Sequence, residues 1–386
     1  MAPAPEARSR LAMKGYQLLI AAVVLGVLAA FALNVSNRMA DFEVYWRGAS
    51  RAAAAEPLYR ADDEHYRFKY LPAFAVLTIP LSFVPLPAAK VAWFAGSAAL
   101  LVLLICISVR LLPERRRPPA LLALIGVVVL GKFFGHELIL GQVNLLFGVL
   151  AGAAFLTMRA GNESAAGVLL ALTVAIKPYG LLFMPWLVAR GKLSSVVAAV
   201  VTGVVVALLP AALYGFSETI ALHQAWWNTV TETTPSNLLN PDNVSFASMW
   251  VKWLGAGTAA TSLAVISGVA ALGAAVLVFL RRRDVAFPEA LEGSLLLMLV
   301  PLLSPQGWDY VLLLAAPAVV LLANYADRLP AGIRLAAIVA ALTMGLSLFD
   351  AVGRDTYAVF MKTAAISVCA CVLIAAVCSL RLRKVA

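Results

Sequence analysis

The sequence has few charged residues. Of its 386 residues 13% are charged and 62% are hydrophobic, and the mean hydropathy is +0.91. A soluble domain of this composition would expose more apolar surface than water tolerates. Apolar runs of about 20 residues recur along the chain, and a helix of that length crosses a bilayer core. The composition therefore excludes a soluble globular protein and predicts a polytopic membrane protein.

The apolar runs also lack a regular alternation of polar and apolar residues. Helices satisfy their own backbone hydrogen bonds where no water is available, so we expect an all-α bundle. We predict a single domain over residues 1–386 with about 12 transmembrane helices. No small-residue cleavage site follows the first apolar run, which starts after "MAPAPEARSRLAMKG", so we expect that run to be retained as the first helix.

Cysteine and histidine are scarce. The four cysteines all lie within apolar runs: Cys106, Cys369, Cys371 and Cys378. Their spacing is not that of a disulfide framework or a zinc site, and small buried hydrophobes are the simpler interpretation. The three histidines are scattered: His65, His136 and His223. Their spacing supports no metal site, and we expect no cofactor other than a lipid-linked sugar donor as co-substrate, with any dependence on a metal left open.

The positive charges give a net charge of +10, but they do not gather in one patch, so the sequence does not indicate a nucleic-acid partner. They lie in gaps between the apolar runs. The positive-inside rule places such gaps, and with them both termini, in the cytoplasm. Five gaps are of this kind: 113–119, 189–192, 281–284, 326–334 and 381–384.

The other polar segments are then expected on the outer face: 38–69, 135–144, a long loop at 214–246, 304–310 and 350–357. Residues 70–87 carry four prolines, and proline interrupts helical hydrogen bonding. We expect this segment to be broken or re-entrant and residues 90–112 to cross the membrane. Residues 163–190 are expected to form a short helical hairpin whose turn at Lys177 and Pro178 lies outside or just within the membrane.

Six of the twenty carboxylates lie in residues 39–70. The start of this segment has the apolar rhythm of an amphipathic helix that lies along the membrane surface, at Phe42, Tyr45, Trp46, Ala49 and Ala53. Glu43, Arg47 and Arg51 have the i, i+4 spacing of a charge ladder on the wetter side. The run Asp62, Asp63 and Glu64 is expected to face water.

Asp41 falls at the start of the predicted surface helix, and two interpretations remain open. It can cap the helix by accepting backbone hydrogen bonds. It can instead be a catalytic carboxylate, held where a lipid-linked substrate and a polar acceptor meet. Glu43 is the second candidate for that role, although its place in the ladder favours a structural function.

Lys177 follows a long apolar run and precedes a proline, a costly position for an ammonium group unless an anion meets it. A phosphate is one such anion; the alternative is a lysine that extends to the lipid headgroups. Gln142 and Asn144 can donate to sugar hydroxyls or phosphate oxygens, or they can join neighbouring helices. Arg47 is a weaker candidate for phosphate binding.

The segment "SPQGWDY" combines aromatic, amide and carboxylate side chains at the outer end of a helix, as a sugar site does. Its candidate sugar-binding residues are Gln306, Trp308, Asp309 and Tyr310. Tryptophan and tyrosine also populate the interface of any membrane protein, so Asp309 is the more informative residue. The segment 223–245 is expected to cover the cavity and to help choose the acceptor.

Several stretches, in this order, resemble the membrane glycosyltransferases of family 87, of the GT-C superfamily: "DFEVYW", "EPLY", "YRFKYLPAFAVLTIPLSFVPLP", "GQVNLL", "AAGVLLALTVAIKPYGLLF", "NPDNVSFASMW" and "LLSPQGWDYVLLLAAP". The resemblance implies a GT-C-type bundle in a bacterial inner membrane. It also implies transfer of mannose from polyprenyl phosphate to a lipid or glycan acceptor on the outer face. The family's late motif has histidines where this chain has Tyr310 and Val311, so the resemblance does not specify the acceptor.

The residues themselves suggest compatible chemistry. Nucleotide sugars are absent outside the cytoplasm, so a transferase that faces outward needs a sugar carried by a lipid. Asp41 would act as general base on the acceptor hydroxyl, in a single displacement that inverts the anomeric centre. Lys177 would bind the leaving phosphate. A donor lipid, an acceptor and the surrounding membrane lipids are thus the expected partners.

Two other classes of function compete with the enzyme. A transporter or flippase for isoprenoid-linked sugars would explain the many helices, but such proteins usually contain repeats and midplane sites, and the sequence shows no repeat. A membrane scaffold would leave Asp41, Lys177 and Asp309 without a purpose. Donor sugar, acceptor, metal requirement and oligomeric state stay open at this stage.

The basic gaps predict the orientation of the chain. In a variant without the four native cysteines, a cysteine at Ala61 should react with an impermeant reagent in intact cells, and one at Arg116 should be protected. The opposite labelling pattern would place Asp41, Gln142 and Asp309 in the cytoplasm.

Overall fold

The computed structural model describes residues 38–282, 285 and 287–382, so the expected first helix lies outside the described residues. The α-helices are α1 Ala40–Ala53, α2 Pro72–Leu77, α3 Ile79–Ser82, α4 Leu86–Arg110, α5 Pro119–Leu140, α6 Asn144–Arg159, α7 Glu163–Ile176, α8 Phe183–Ala189, α9 Leu193–Leu208, α10 Ala211–Tyr214, α11 Phe216–Asn237, α12 Phe246–Leu254, α13 Thr258–Leu280, α14 Glu289–Leu303, α15 Ala316–Asn324, α16 Ala331–Leu346, α17 Phe349–Val352, α18 Arg354–Lys362 and α19 Ala365–Leu382. Four short 3₁₀ helices cover Ala61–Tyr66, Pro178–Leu182, Asp309–Ala315 and Ala326–Arg328.

Five helical stretches in this part of the chain are long and apolar enough to cross a membrane: Leu86–Arg110, Pro119–Leu140, Leu193–Tyr214, Thr258–Leu280 and Ala365–Leu382. Shorter apolar helices, such as α6 and α7, lie among them. The all-α membrane fold is therefore supported, whereas the count of about 12 crossings stays a prediction. Helix α14 forms the centre of the bundle, because it is buried on every side over nearly its whole length.

The proline-rich segment 70–87 is broken into two short helices, α2 and α3. Pro72 and Pro80 lie in their first turns, where a missing backbone N–H costs little. The 25-residue helix α4 follows and is the long apolar helix of the pair. Residues 70–87 are therefore broken, as expected, and the segment after them forms one long apolar helix. A re-entrant path of residues 70–87 stays a prediction.

Residues 163–189 form the expected hairpin. Helix α7 ends at Lys177, whose backbone is extended (φ −147°, ψ 137°), and a 3₁₀ helix begins at Pro178. Beyond α8 the chain returns to the start of α7. There Lys192 Nζ lies 2.5 Å from Glu163 Oε1, and Ser195 Oγ donates to the Glu163 carbonyl oxygen at 2.7 Å.

Residues 135–140 are helical and not a loop, which corrects one prediction. Helix α5 continues through His136 and Glu137 to Leu140. It ends at Gly141, whose φ of +70° suits glycine, and a Cβ there would lie 2.7 Å from Phe42 Cβ. The polar residues at 136 and 137 suggested a loop, but both side chains find partners inside the bundle and so tolerate helical positions.

The segment predicted as a long loop at 214–246 is also mostly helix. Helix α11 occupies Phe216–Asn237, with Pro235 in its last turn. Several threonine hydroxyls donate to backbone carbonyl oxygens one turn earlier, as Thr229 does to Ala225 and Thr233 to Thr229. Such bonds satisfy polar side chains on a helix surface, which hydropathy alone does not reveal.

Three of the basic gaps meet at one end of the bundle, around the fully buried carboxylate of Glu292 at the start of α14. Its oxygens lie 3.7 Å from Arg190, 3.5 Å from Arg282 and 3.7 Å from Arg381. Trp186 Nε1 donates to the same carboxylate at 2.8 Å. This Glu292 cluster brings one arginine from each of three basic gaps, Arg190, Arg282 and Arg381, to one side of the molecule, as their shared charge predicts.

Loss of the Glu292 charge should destabilise the fold. Glu292→Gln keeps a hydrogen-bond acceptor for Trp186 but leaves the arginines without their central anion, a change that typically costs about 3–5 kcal/mol in a buried ion pair. Thermal unfolding in lipid nanodiscs should show a clear drop in melting temperature.

Asp327→Asn is the matched control, because Asp327 pairs with Arg116 at the surface and its side chain is 46% exposed. It should change stability little. Equal melting temperatures for Glu292→Gln and the wild type would show that the buried cluster does not hold this end of the bundle together.

Candidate functional site

A cavity of about 950 Å³ opens in the bundle near the far end of α14 from Glu292. Its walls come from α1, the end of α5, the turn after α7, helix α11 and the segment after α14. Six of the predicted site residues line it: Asp41, Gln142, Lys177, Gln306, Trp308 and Tyr310. These residues are far apart in sequence, and the fold brings them to one space.

Asp41 lies in the first turn of α1 but does not cap it. The cap position is Met39, which has a left-handed backbone and whose N–H donates to the Ile139 carbonyl oxygen at 2.9 Å. The Asp41 carboxylate turns toward the cavity instead, where Oδ2 accepts a hydrogen bond from Gln142 Nε2 at 2.7 Å. The structure therefore does not support the capping interpretation.

Burial raises the pKa of Asp41 above its ordinary value of 3.8. The hydrogen bond from Gln142 and the positive charge of Lys177 act in the opposite direction and offset part of this effect. A carboxylate with a raised pKa holds a proton more tightly than an exposed aspartate does. It is therefore a better proton acceptor, which suits a general base.

The Gln142 side chain connects the site. Its Oε1 accepts from three donors: Tyr45 OH at 3.0 Å, Tyr70 OH at 3.1 Å and Lys177 Nζ at 3.3 Å. Its Nε2 donates to Asp41 Oδ2 at 2.7 Å and to Tyr310 OH at 3.1 Å. Gln142 thus joins separate elements, as the helix-bridging alternative predicts, and it also lines the cavity.

Lys177 points into the bundle. Its Nζ donates to Asn144 Oδ1 at 2.8 Å and to Gln142 Oε1 at 3.3 Å, and the residue is only 7% exposed. Three tyrosine rings surround the ammonium at 5.6 to 5.9 Å from their centroids: Tyr70, Tyr179 and Tyr310. This geometry differs from that of a lysine that extends to the lipid headgroups.

Asn144 does not line the cavity but holds Lys177 from behind. Its Nδ2 donates to Glu137 Oε2 at 2.8 Å, and Glu137 Oε1 accepts from the backbone N–H of Leu145 at 3.0 Å. Glu137 therefore caps the start of α6 and places a buried carboxyl group near Lys177. Glu137 was not among the residues predicted from the sequence, although it lies in the stretch "GHELILGQVN" with the two predicted amides.

Asp309 is fully buried and lies behind the cavity wall. Its Oδ1 is 2.9 Å from His136 Nδ1, and its Oδ2 is 3.4 Å from Lys132 Nζ. His136 lines the cavity and was assigned no role from sequence. Lys132 and His136 are four residues apart on α5, the spacing that puts two side chains on one helix face.

The remaining predicted sugar-binding residues line the cavity beside Asp309. Gln306 Nε2 donates to Thr234 Oγ1 of α11 at 2.8 Å. The rings of Trp308 and Tyr310 are nearly parallel, with centroids 6.5 Å apart. Asp242, which the sequence analysis did not select, also lines the cavity, and burial raises its pKa.

Arg47 does not line the cavity. It pairs with Glu43 at 2.7 Å, as the predicted ladder requires, and its guanidinium lies 4.3 Å from the centroid of the Tyr66 ring. Arg51 leaves the ladder and pairs with Asp63 at 2.5 Å. The prediction that Asp63 faces water is therefore wrong, because this ion pair draws it against α1.

Two further cations, Arg67 and Lys69, lie on the cavity wall. The Lys69 carbonyl oxygen accepts a hydrogen bond from Trp226 Nε1 at 3.1 Å, which connects the segment around Lys69 to α11.

Within the described residues, no group of three or more histidine, cysteine, aspartate and glutamate side chains is arranged to hold a metal ion.

Comparison with known proteins indicates a family for this chain. The family model of glycosyltransferase family 87 matches residues 68–305, more than half of the chain. No curated protein and no solved structure matches. Gln142 and Lys177 fall within the matched residues, whereas Asp41 and Trp308 fall outside them and are joined to the site by the fold.

Proposed function

The chain belongs to glycosyltransferase family 87, and we propose that it transfers a sugar, specifically mannose, from a polyprenyl-phosphate donor with inversion of the anomeric centre. The acceptor would be a lipid or glycan on the extracytoplasmic face of the membrane. One observation carries the proposal: the Asp41 carboxylate and the Lys177 ammonium face one cavity and are held by the same side chain, Gln142.

The chemistry needs one base and one cation. An acceptor hydroxyl attacks the anomeric carbon, the bond from that carbon to the phosphate oxygen breaks, and the hydroxyl proton passes to Asp41. The electron pair leaves with the polyprenyl phosphate, which needs no proton because it departs as an anion. Positioned base catalysis of this kind contributes typically about 10² to 10⁴-fold.

Positive charge is already in place for the leaving phosphate. Lys177 is buried at the cavity wall, and Lys69 and Arg67 line the same space. A preorganised cation in surroundings with little water stabilises developing negative charge more strongly than a solvated one does. Lys177 donates to two amide oxygens, and Glu137 reaches it only through Asn144, so no direct ion pair in the described residues occupies the ammonium.

The cavity also has an apolar side that suits an isoprenoid chain. Ile176 at the end of α7, Leu182 at the end of the following 3₁₀ helix, and Val300 and Leu303 on α14 all line it. The family match favours a sugar donor, and this apolar wall favours one that carries a lipid.

The position of the cavity supports an outward-facing site. The Glu292 cluster gathers basic gaps at one end of α14, and the cavity lies toward the other end. The positive-inside rule assigns the basic end to the cytoplasm. The described residues give the transporter alternative no comparable support, because at the basic end they form a buried cluster of ion pairs around Glu292.

Asp41→Asn should abolish most of the transfer, because it preserves the size of the side chain but removes the base. We expect at least a roughly 10²-fold fall in turnover, with donor binding retained, in nanodiscs supplied with polyprenyl-phosphate mannose and an acceptor extract.

In the wild type, activity should be lost as the pH falls through the pKa of Asp41, because protonation removes the base. That loss should occur above pH 3.8, since burial raises this pKa.

Asp62→Asn and Glu64→Gln are the controls, because both side chains are exposed in the same loop. Both substitutions should leave turnover nearly unchanged. Glu43→Gln tests the second candidate and should affect stability more than turnover, because Glu43 is paired with Arg47. Near-normal turnover of folded Asp41→Asn would remove Asp41 from the reaction.

Lys177→Ala should weaken donor binding much more than acceptor binding, because it removes the buried cation proposed to meet the phosphate. Lys177→Arg should retain part of the affinity. Equilibrium binding of labelled polyprenyl-phosphate mannose to folded protein measures the effect. Lys362→Ala, an exposed lysine away from the cavity, is the control. Unchanged donor affinity in Lys177→Ala would assign the lysine a structural role.

A further inference from the structure

The His136 imidazole is fixed by a buried carboxylate. Its Nδ1 lies 2.9 Å from Asp309 Oδ1, and the other oxygen of Asp309 faces Lys132 Nζ at 3.4 Å. An ionised carboxylate only accepts hydrogen bonds, so the proton of this contact belongs to Nδ1. The second ring nitrogen, Nε2, then determines what else the imidazole can bind.

The Nε2 edge of His136 is turned toward the cavity. The side chain is 30% exposed and lines the cavity, whereas Nδ1 is directed at a carboxylate with no exposure. Tyr310 stands edge-on to the ring at 5.2 Å between centroids. Within the described part of the chain, the hydrogen bond to Asp309 is the one that this imidazole makes.

Asp309 also places Asp242 beside His136. The backbone N–H of Asp309 donates to the Asp242 carbonyl oxygen at 2.8 Å, and a short antiparallel bridge joins Asn243 to Trp308. The Asp242 side chain lines the cavity and has a long contact of 3.4 Å with Tyr357 OH. Asp309 therefore positions one imidazole through its side chain and one carboxylate through its backbone.

The third component is an aromatic face. Trp308 precedes Asp309, lines the cavity and belongs to the same bridge as Asn243. Apolar C–H faces of a sugar ring stack on such a surface, while the hydroxyl groups at the ring edge need hydrogen-bond partners. A carboxylate accepts from hydroxyl groups, and the second ring nitrogen of an imidazole can exchange a hydrogen bond with a hydroxyl group whether or not it carries a proton.

We propose that His136, Asp242 and Trp308 form an acceptor subsite for a neutral carbohydrate with neighbouring free hydroxyl groups. The inference rests on the proposed function and deepens it, because it names the class of acceptor. The subsite lines the same cavity as the Asp41, Gln142 and Lys177 group. Asp242 and Asp309 have the cations Lys132 and Lys252 beside them, so the subsite has no strong excess of either charge, which suits a neutral acceptor.

Octyl glycosides of glucose, mannose and galactose test the inference against octanol, which has the same chain and a single hydroxyl group. Wild-type protein in nanodiscs, supplied with polyprenyl-phosphate mannose, should use at least one glycoside with a KM about tenfold or more below that of octanol. Equal use of octanol, or a panel in which no glycoside is glycosylated or slows hydrolysis of the donor, would overturn the inference.

Two substitutions of His136 separate the subsite from a structural role. Asparagine can still reach Asp309 but lacks a group at the Nε2 position, whereas glutamine reaches the Nε2 position. His136→Asn should raise the KM for the glycoside by about tenfold with donor affinity unchanged, and His136→Gln should restore part of it. Asp242→Asn should raise the same KM, whereas His223→Ala, which bonds Thr219 outside the cavity, should change nothing.

The outcomes distinguish this inference from the proposed function. If the wild type releases polyprenyl phosphate from no donor in a panel of polyprenyl-phosphate sugars, the proposed function fails and the acceptor subsite fails with it. If transfer proceeds but folded His136→Asn and Asp242→Asn keep the wild-type KM for the glycoside, the transferase stands and the subsite is refuted. A fall in donor affinity equal to the rise in acceptor KM would also refute it.

Discussion

The orientation of one amide determines the geometry of the site. Lys177 can only donate hydrogen bonds and the Asp41 carboxylate can only accept them, so the oxygen of Gln142 must face the lysine and its nitrogen the aspartate. The amide cannot turn over without breaking both contacts. Gln142 therefore fixes the relative positions of the proposed base and cation before any substrate binds, which is the preorganisation that electrostatic catalysis requires.

Much of this site could be predicted from the sequence, because a polar side chain in an apolar chain is costly and therefore conspicuous. Lys177 was identified for that reason, Asp41 from its place at the start of the predicted surface helix and Gln142 from the hydrogen bonds that an amide can donate, and the fold brings the three together. Glu137 was not selected, and His136 was given no role because its isolated position indicates no metal site. Their partners, Asn144 and Asp309, come from other elements, and one-dimensional patterns do not show which face of a helix meets which neighbour.

The fold was predictable in class but less so in its elements. Hydropathy indicates helices that contact lipid or core, such as Thr258–Leu280, but it fails for α11, where threonines and tryptophans dominate and hydroxyl groups bond to the helix's own backbone. The direction of the Asp309 side chain, which lies in a turn, was likewise not predictable from the sequence pattern. Its side chain was expected in the cavity, but the 3₁₀ helix that starts at Asp309 directs it inward, and His136 takes the exposed place.

The two ends of α14 differ in a way that bears on function. One end carries Glu292, buried among arginines from three separate segments, and the other carries cavity residues such as Leu303. A transporter must open both ends in turn. Opening the basic end would draw the arginines away from Glu292 and leave a carboxylate uncompensated in apolar surroundings, which is strongly unfavourable. Among the described residues, buried ion pairs at one end and a polar cavity at the other favour chemistry at a single membrane face.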